Sequence, residues 1–263
     1  MSVTLVTTVR AVDEHRARNL EYTLRWYTQM PDWELLVVEQ DAAPSLDSSG
    51  WSPQARHVFV PNPGPFNKGW GMNVGALLAS HPLLYLCDAD LLVPPSALET
   101  GTSLCRNRVV AVNPYGKLAE LGREETQALL ETAGTPDFSD PRASRTRGKG
   151  EQLPYCGGAF FIRQSVFRQI GGFDERYLGW GGEDDALGIK LAAVTQDLGA
   201  VDRQTAVHLW HPRSPEQTFG SPFYAANRER LQRLAQMSRE DLLFLIDVER
   251  QLMGNPDKYF RAA

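Results

Sequence analysis

Residues 82–93, PLLYLCDADLLV, form an apolar run interrupted by two acids, Asp88 and Asp90. The apolar part reads as a buried strand. Burying one unpaired carboxylate costs several kcal/mol, so the acids need partners. Two carboxylates one residue apart at a strand's exit can grip a divalent cation, and in open α/β sheets ligands gather beyond the carboxyl ends of the strands. Alone, a D-x-D reads equally well as a polar strand end with capping acids.

Outward from this run, strand-like segments alternate with helix-like ones. VTLVTTV (3–9), WELLVVEQD (33–41), RVVAVNPY (108–115), YCGGAFFI (155–162) and TAVHLWHP (205–212) read as strands. ARNLEYTLRWYTQM (17–30) places Leu20, Leu24 and Tyr27 on one helical stripe, and DDALGIKLAAVTQ (184–196) does the same with Leu187, Leu191 and Val194. NKGWGMNVGALLAS (67–80), REETQALLETA (123–133) and a short stretch within 163–177 also read as helical. Two helix-like runs follow residue 222, and Ser238 with Asp241 three positions on predicts the cap of the second. This rhythm predicts an α/β fold with a mostly parallel, Rossmann-like central sheet flanked by helices and a C-terminal helical tail.

The 263 residues carry a formal net charge of -5, which excludes a basic nucleic-acid footprint. No apolar run approaches the roughly 20 residues that span a bilayer. The N-terminus lacks the pattern of a signal peptide. Cys87, Cys105 and Cys156 are odd in number and lack C-x-x-C spacing, so a reducing, cytoplasmic setting is expected. Residues 135–152 are polar and rich in Pro, Ser and Gly, and are expected to be mobile without ligand. Their basic run, Arg142, Arg145, Arg147 and Lys149, reads as a solvated loop.

Chemistry concentrates in three further stretches. His208 and His211 lie three apart near a strand end, and oxygen ligands with imidazole suit manganese, with magnesium as the alternative. FNKGWGMNVGA (66–76) has glycines that would let backbone approach a ligand and a lysine, Lys68, that could meet a phosphate. YLGWGGEDDALG (177–188) sets an aromatic among glycines and then three acids where a helix begins. Complementing the helix dipole accounts for one or two acids, each worth about 1 kcal/mol or less. Successive helical residues differ by about 100°, so one acid can take a proton while its neighbours hold hydroxyls. Trp180 offers a flat face to a sugar ring.

In this order, FNKGWGMNVGA, CDAD, CGGAFFIRQSVFRQIGGFDERYLGWGGEDDALG and HLWHP resemble the GT-A-fold inverting glycosyltransferases, between family 2 and the β-1,4-galactosyltransferases. The similarity covers roughly residues 3–213. It implies a sugar moved from a nucleotide-sugar, UDP-linked by default, to a saccharide or other small acceptor. It implies Asp90 as metal ligand, with Asp88 near the ribose and also a metal ligand, and His211 with His208 completing the site. Asp184 corresponds to the general base. Glu183 and Asp185, with Trp180, Gly181 and Gly182, would form the acceptor side. Arg10, Glu39, Asp41, Asn67, Lys68 and Asn73 would serve the donor. The implied organisation is a catalytic domain over 1–220, with a nucleotide-sugar half at about 1–118 and an acceptor half at about 153–213, and a helical extension over 221–263. A homodimer through the C-terminal helices is held open. The rivals are a sugar-phosphate nucleotidyltransferase, a non-catalytic sugar-binding module of the same fold, and a haloacid-dehalogenase-type phosphatase.

Overall fold

The computed structural model describes residues 2–10, 13–145 and 157–260. In chain order the elements are β1 (Val3–Val9), α1 (Glu14–Tyr27), β2 (Trp33–Asp41), β3 (Ala55–Pro61), α2 (Lys68–Leu78), β4 (Leu83–Cys87), β5 (Leu91–Leu92), α3 (Pro95–Asn107), β6 (Ala111–Asn113), β7 (Lys117–Glu120) and α4 (Arg123–Thr132). They continue with β8 (Ser144–Arg145), β9 (Ala159–Arg163), α5 (Gln164–Gln169), α6 (Glu183–Val194), β10 (Leu198–Ala200), β11 (Thr205–His208), α7 (Pro222–Ala235) and α8 (Arg239–Leu252).

Among the described residues the main sheet has seven strands in the order β10-β6-β9-β4-β1-β2-β3. All pairs are parallel except those of β9, which runs against both β4 and β6. All seven residues of β1 and all five of β4 are buried, as expected of strands covered on both faces. Strand order reverses between β1 and β4, and the crevice at such a switch point is where α/β sheets bind ligands. β4 stops at Cys87, before both acids, which occupy a turn. β5 then crosses to a four-stranded sheet ordered β5-β11-β7-β8. There His208 pairs with Leu91 on one side and Glu120 on the other.

The glycines of α2 act differently from the expectation. A Cβ on Gly71 would collide with Thr8, and one on Gly75 with Val6. They let the helix lie close on the sheet, rather than opening backbone to a ligand. The sequence reading missed β3, α3, β7, β8 and β10. Most are short, and α3 opens on Pro95, where a proline is tolerated.

The C-terminal helices pack on the core. Tyr177, Ala186, Leu234, Leu242 and Ile246 form one buried cluster across α6, α7 and α8. Fully buried Lys190 on α6 meets Glu249 on α8 at 2.7 Å, and Arg176 meets the same carboxylate at 2.7 Å. Ser238 caps α8 by accepting from the backbone N–H of Asp241. Of the loop expected to be mobile, residues 146–152 lie outside the described residues. The described part is anchored through Phe138, which packs on the core, and Arg142, which pairs with Glu125 on α4 at 2.7 Å. Cys156 also lies outside the described residues, while Cys87 and Cys105 are buried free thiols. No described helix is long and apolar enough to cross a membrane.

Candidate active site

The turn after β4 is held by backbone. Asp88 N donates to Gly158 O at 2.7 Å, and Leu209 N donates to Asp90 O at 2.8 Å. The second bond ties the acid turn to the segment bearing the histidines. His208 Nε2 then lies 3.4 Å from Asp90 Oδ1, and His211 Nε2 3.2 Å from Asp90 Oδ2. Ligand atoms of these three residues all fall within 4.8 Å of one another. Neighbouring ligands of one cation, bound at about 2 Å each, are about 3 Å apart, so the spacing fits a divalent metal. Two histidines and one carboxylate leave positions open for a ligand's oxygens.

Burial by itself would raise the Asp90 carboxyl. The charge and hydrogen bond of His208, with His211 and Arg16, overcome that and hold it at about 2. Burial likewise opposes the charged form of His208, but Asp90 outweighs it and raises the imidazole above its ordinary value. His211 is lowered, because burial there prevails over Asp90.

Asp88 does not join this triad. Its Oδ1 sits 3.0 Å from Lys68 Nζ, which also reaches Asp184 Oδ2 at 3.2 Å and Glu183 Oε1 at 3.8 Å. One ammonium thus links the acids after β4 to the acids opening α6. Burial disfavours the Lys68 charge, but Asp184, Asp88 and Glu183 together raise it well above the usual lysine value. Glu183 is pushed up to about 7 by burial and then by the charge of Asp184, with Lys68 opposing. Asp88 is raised by burial too, against the pull of Lys68.

Gly182 caps α6 with a φ of 91°, a conformation most other residues avoid, and Gly181 has a φ of 98°. This turn leaves Trp180 and Asp184 on the wall of a cavity of about 940 Å³. The same cavity is lined by Lys68, Asp88, Asp90, Glu183, His208 and His211. Its size is within the range of small-molecule sites.

Known proteins match this chain in sequence and in shape. The family described as the N-terminal domain of galactosyltransferase matches residues 142–219. Validoxylamine A glucosyltransferase of Streptomyces hygroscopicus is 27% identical over 237 residues, covering 79% of this chain and 56% of its own length. The chain therefore spans about half the length of the curated relatives it matches. S. aureus TarS 1-349 in complex with UDP-GlcNAc superposes with a TM-score of 0.58 at 12% identity, covering 99% of this chain and 73% of that one. Drosophila β-1,4-galactosyltransferase 7 with manganese, UDP-Gal and xylobiose gives 0.51 at 16% identity, covering 86% and 79%. The chain has the GT-A fold of the glycosyltransferases.

Within this GT-A frame the expected residues divide. Arg10 reaches the cavity wall, while its guanidinium donates to the carbonyls of Gln40, Asn62 and Gly64. Glu39 is fully buried and accepts from Ser45 N, Ser45 Oγ and Leu46 N, with His57 at 2.8 Å. Asn67 caps α2 through Trp70 N, and Asn73 holds Phe173 and Glu175. These three side chains brace the loops around the crevice and do not line it. Asp41 and Asp185 also lie off the cavity wall.

The sequence reading missed Arg16, Tyr115, Trp210 and Arg213, all on the cavity wall. Trp210 lay visible between the two histidines of HLWHP. Arg16 lies on α1 with no local motif, and only the fold carries it to His211, 195 positions away.

Proposed function

We propose that this chain is a metal-dependent inverting glycosyltransferase that moves a hexose or N-acetylhexosamine from a UDP-sugar to a hydroxyl of a saccharide or other small acceptor. One observation carries the reading: Asp90, His208 and His211 share a single cavity with Asp184 and Trp180. The relatives' names and their bound ligands support the same class.

A divalent cation at the triad, manganese before magnesium, would supply positive charge for a diphosphate leaving group. Lys68, held among three carboxylates, would add a second positive charge. Asp184 takes the proton of the acceptor hydroxyl as its oxygen bonds to the anomeric carbon. The bond from that carbon to the diphosphate breaks in the same displacement, inverting the configuration. Glu183, held near neutral protonation, can donate to an acceptor oxygen, and Trp180 can cover a sugar face.

The nucleotide-sugar half is assigned to about 1–118, the acceptor half to about 153–213, and the helical extension to 221–263. Buried free Cys87 and Cys105 fit a reducing, cytoplasmic setting. Exposed Phe244, Val248 and Leu252, four residues apart on α8, are the face assigned to a second copy of the chain.

The test is nucleotide release from a panel of UDP-, GDP- and TDP-sugars with a saccharide acceptor, with Mn²⁺ or with EDTA. UDP release that needs Mn²⁺ is expected. Full transfer in EDTA would overturn the metal assignment, and no release from any donor would overturn the enzyme reading.

A further inference from the structure

The turn after α8, residues 253–259, reaches back to the start of α2. Met253 is buried in the core, and Gly254, at a φ of 68°, lies so close to α2 that a Cβ would meet Leu77 and the Asn73 backbone. The carbonyl of Asn255 accepts from the indole N–H of fully buried Trp70 at 2.7 Å. The Tyr259 ring meets Trp70 edge-on, with centroids 4.9 Å apart, and its hydroxyl accepts from Asn67 Nδ2 at 2.9 Å. Gly254 N donates to Glu175 Oε1 at 2.6 Å, and Lys258 Nζ reaches Glu175 Oε2 at 2.8 Å. The turn thus buckles together two segments that carry cavity residues. Asn67 directly precedes Lys68, and Glu175 precedes the glycine turn that leads to Glu183 and Asp184.

Asn67 is fully buried, and both polar atoms of its side chain are in use. Oδ1 accepts from Trp70 N and caps α2, so the amide faces the other way, where Nδ2 donates to Glu175 O at 2.8 Å and to Tyr259 Oη. Without the Tyr259 hydroxyl one buried N–H loses its partner, which costs more than the bond itself contributes. The amide then has to turn or admit water, and either change disturbs the cap. Gln40 pins the Asn67 backbone on its other side, so the first turn of α2 tilts rather than comes free. Lys68 is the first residue of that turn, and its ammonium spans Asp88, Glu183 and Asp184.

We propose that Tyr259 is a positioning residue for sugar transfer: it braces the Asn67 cap so that Lys68 stands between Asp88 and Asp184 as the diphosphate leaves. The C-terminal extension thereby supports the site without lining it. This rests on the transferase reading above and adds to it a residue outside the stretch 3–213 that carries the resemblance.

Tyr259→Phe keeps the ring against Trp70 and removes only the hydroxyl. In the full chain it should lower kcat for sugar transfer roughly fivefold, well short of the roughly hundredfold that a 1 Å misplacement can cost, with acceptor KM near wild type and the protein still folded at the assay temperature. Lys68→Met should lower kcat further. In a Lys68→Met background Tyr259→Phe should change kcat no more, because the ammonium it positions is gone. A general loss of folded protein would lower kcat by the same factor in both backgrounds, and equal factors would overturn the proposal. Amide exchange gives a readout that needs no activity and no Lys68 variant. Trp70 N–H, whose acceptor is Asn67 Oδ1, should exchange roughly fivefold faster in Tyr259→Phe, while Leu86 in β4 stays unchanged. Unchanged Trp70 exchange would overturn the brace even if kcat falls. A wild type that transfers no sugar from any donor would instead overturn the transferase reading, and Trp70 exchange alone would then decide the brace.

Discussion

Asp90 and Glu183 are carboxylates buried beside the same cavity, and their surroundings drive them apart. Asp90 sits between two imidazoles and near Arg16, and is held at about 2. Glu183 sits beside Asp184 with only a share of Lys68, and rises to about 7. Both lose hydration, so burial alone cannot separate them. The neighbours do: opposite charge keeps Asp90 ionised, and like charge adds to burial in keeping Glu183 close to protonation. On the proposed reading, this opposite tuning divides binding charge from moving protons.

The largest expected effect tests the proton-handling side. Asp184→Asn should lower turnover by roughly two to four orders of magnitude while melting temperature and donor affinity stay near wild type. Retained turnover in a folded sample would move the base to Glu183. The metal side comes next. Asp90→Ala should weaken Mn²⁺ binding, measured by free-Mn²⁺ titration, by more than the roughly 10–100-fold typical of losing a group that only supports a ligand. Unchanged Mn²⁺ affinity would remove Asp90 from the site.

A smaller effect follows from protonation of His208. Only neutral imidazole ligates, and the His208 value is raised, so Mn²⁺ affinity should fall as pH drops through that raised value, by about tenfold per unit below it. A flat profile from pH 8 to 5 would separate His208 from the metal. The smallest effect concerns stability. The folded-state value of Glu183 lies above its unfolded value, so its contribution is fully present below 4.5 and lost as pH rises through about 7. Metal-free Glu183→Gln should match the wild-type melting temperature near pH 4.5 and exceed it by roughly 2–8 °C at pH 8. Equal melting at both pH values would mean that Lys68 fully compensates Glu183.

Local pattern determined much of this protein. The runs at 3–9, 33–41 and 82–87 could only be buried strands, because continuous Val and Leu without helical spacing require cover on both faces. Acids after a strand, and acids after a glycine turn, were legible because each strains a local rule: the first breaks an apolar run, the second exceeds what a helix dipole can use. The two histidines were legible from their closeness in a chain with only five, read beside the D-x-D.

Only the tertiary structure decided which of these groups meet. Glu39, Asn67 and Asn73 resemble ligand-facing residues in sequence, yet each spends its hydrogen bonds on nearby backbone and side chains, because buried polar groups near a crevice must also be satisfied. Asp88 turned to Lys68 instead of the triad, and Lys68 joined two motifs that lie 95 or more positions apart in the chain. Arg16 reached His211 because α1 lies against the segment after β11, where Asn19 also donates to Trp210 O, a contact that no periodicity encodes. Strand and helix patterns repeat every two or 3.6 residues and are written locally. Charge pairing depends on distances of a few ångströms between remote segments, and those exist only once the sheet order and the packing of its helices are set.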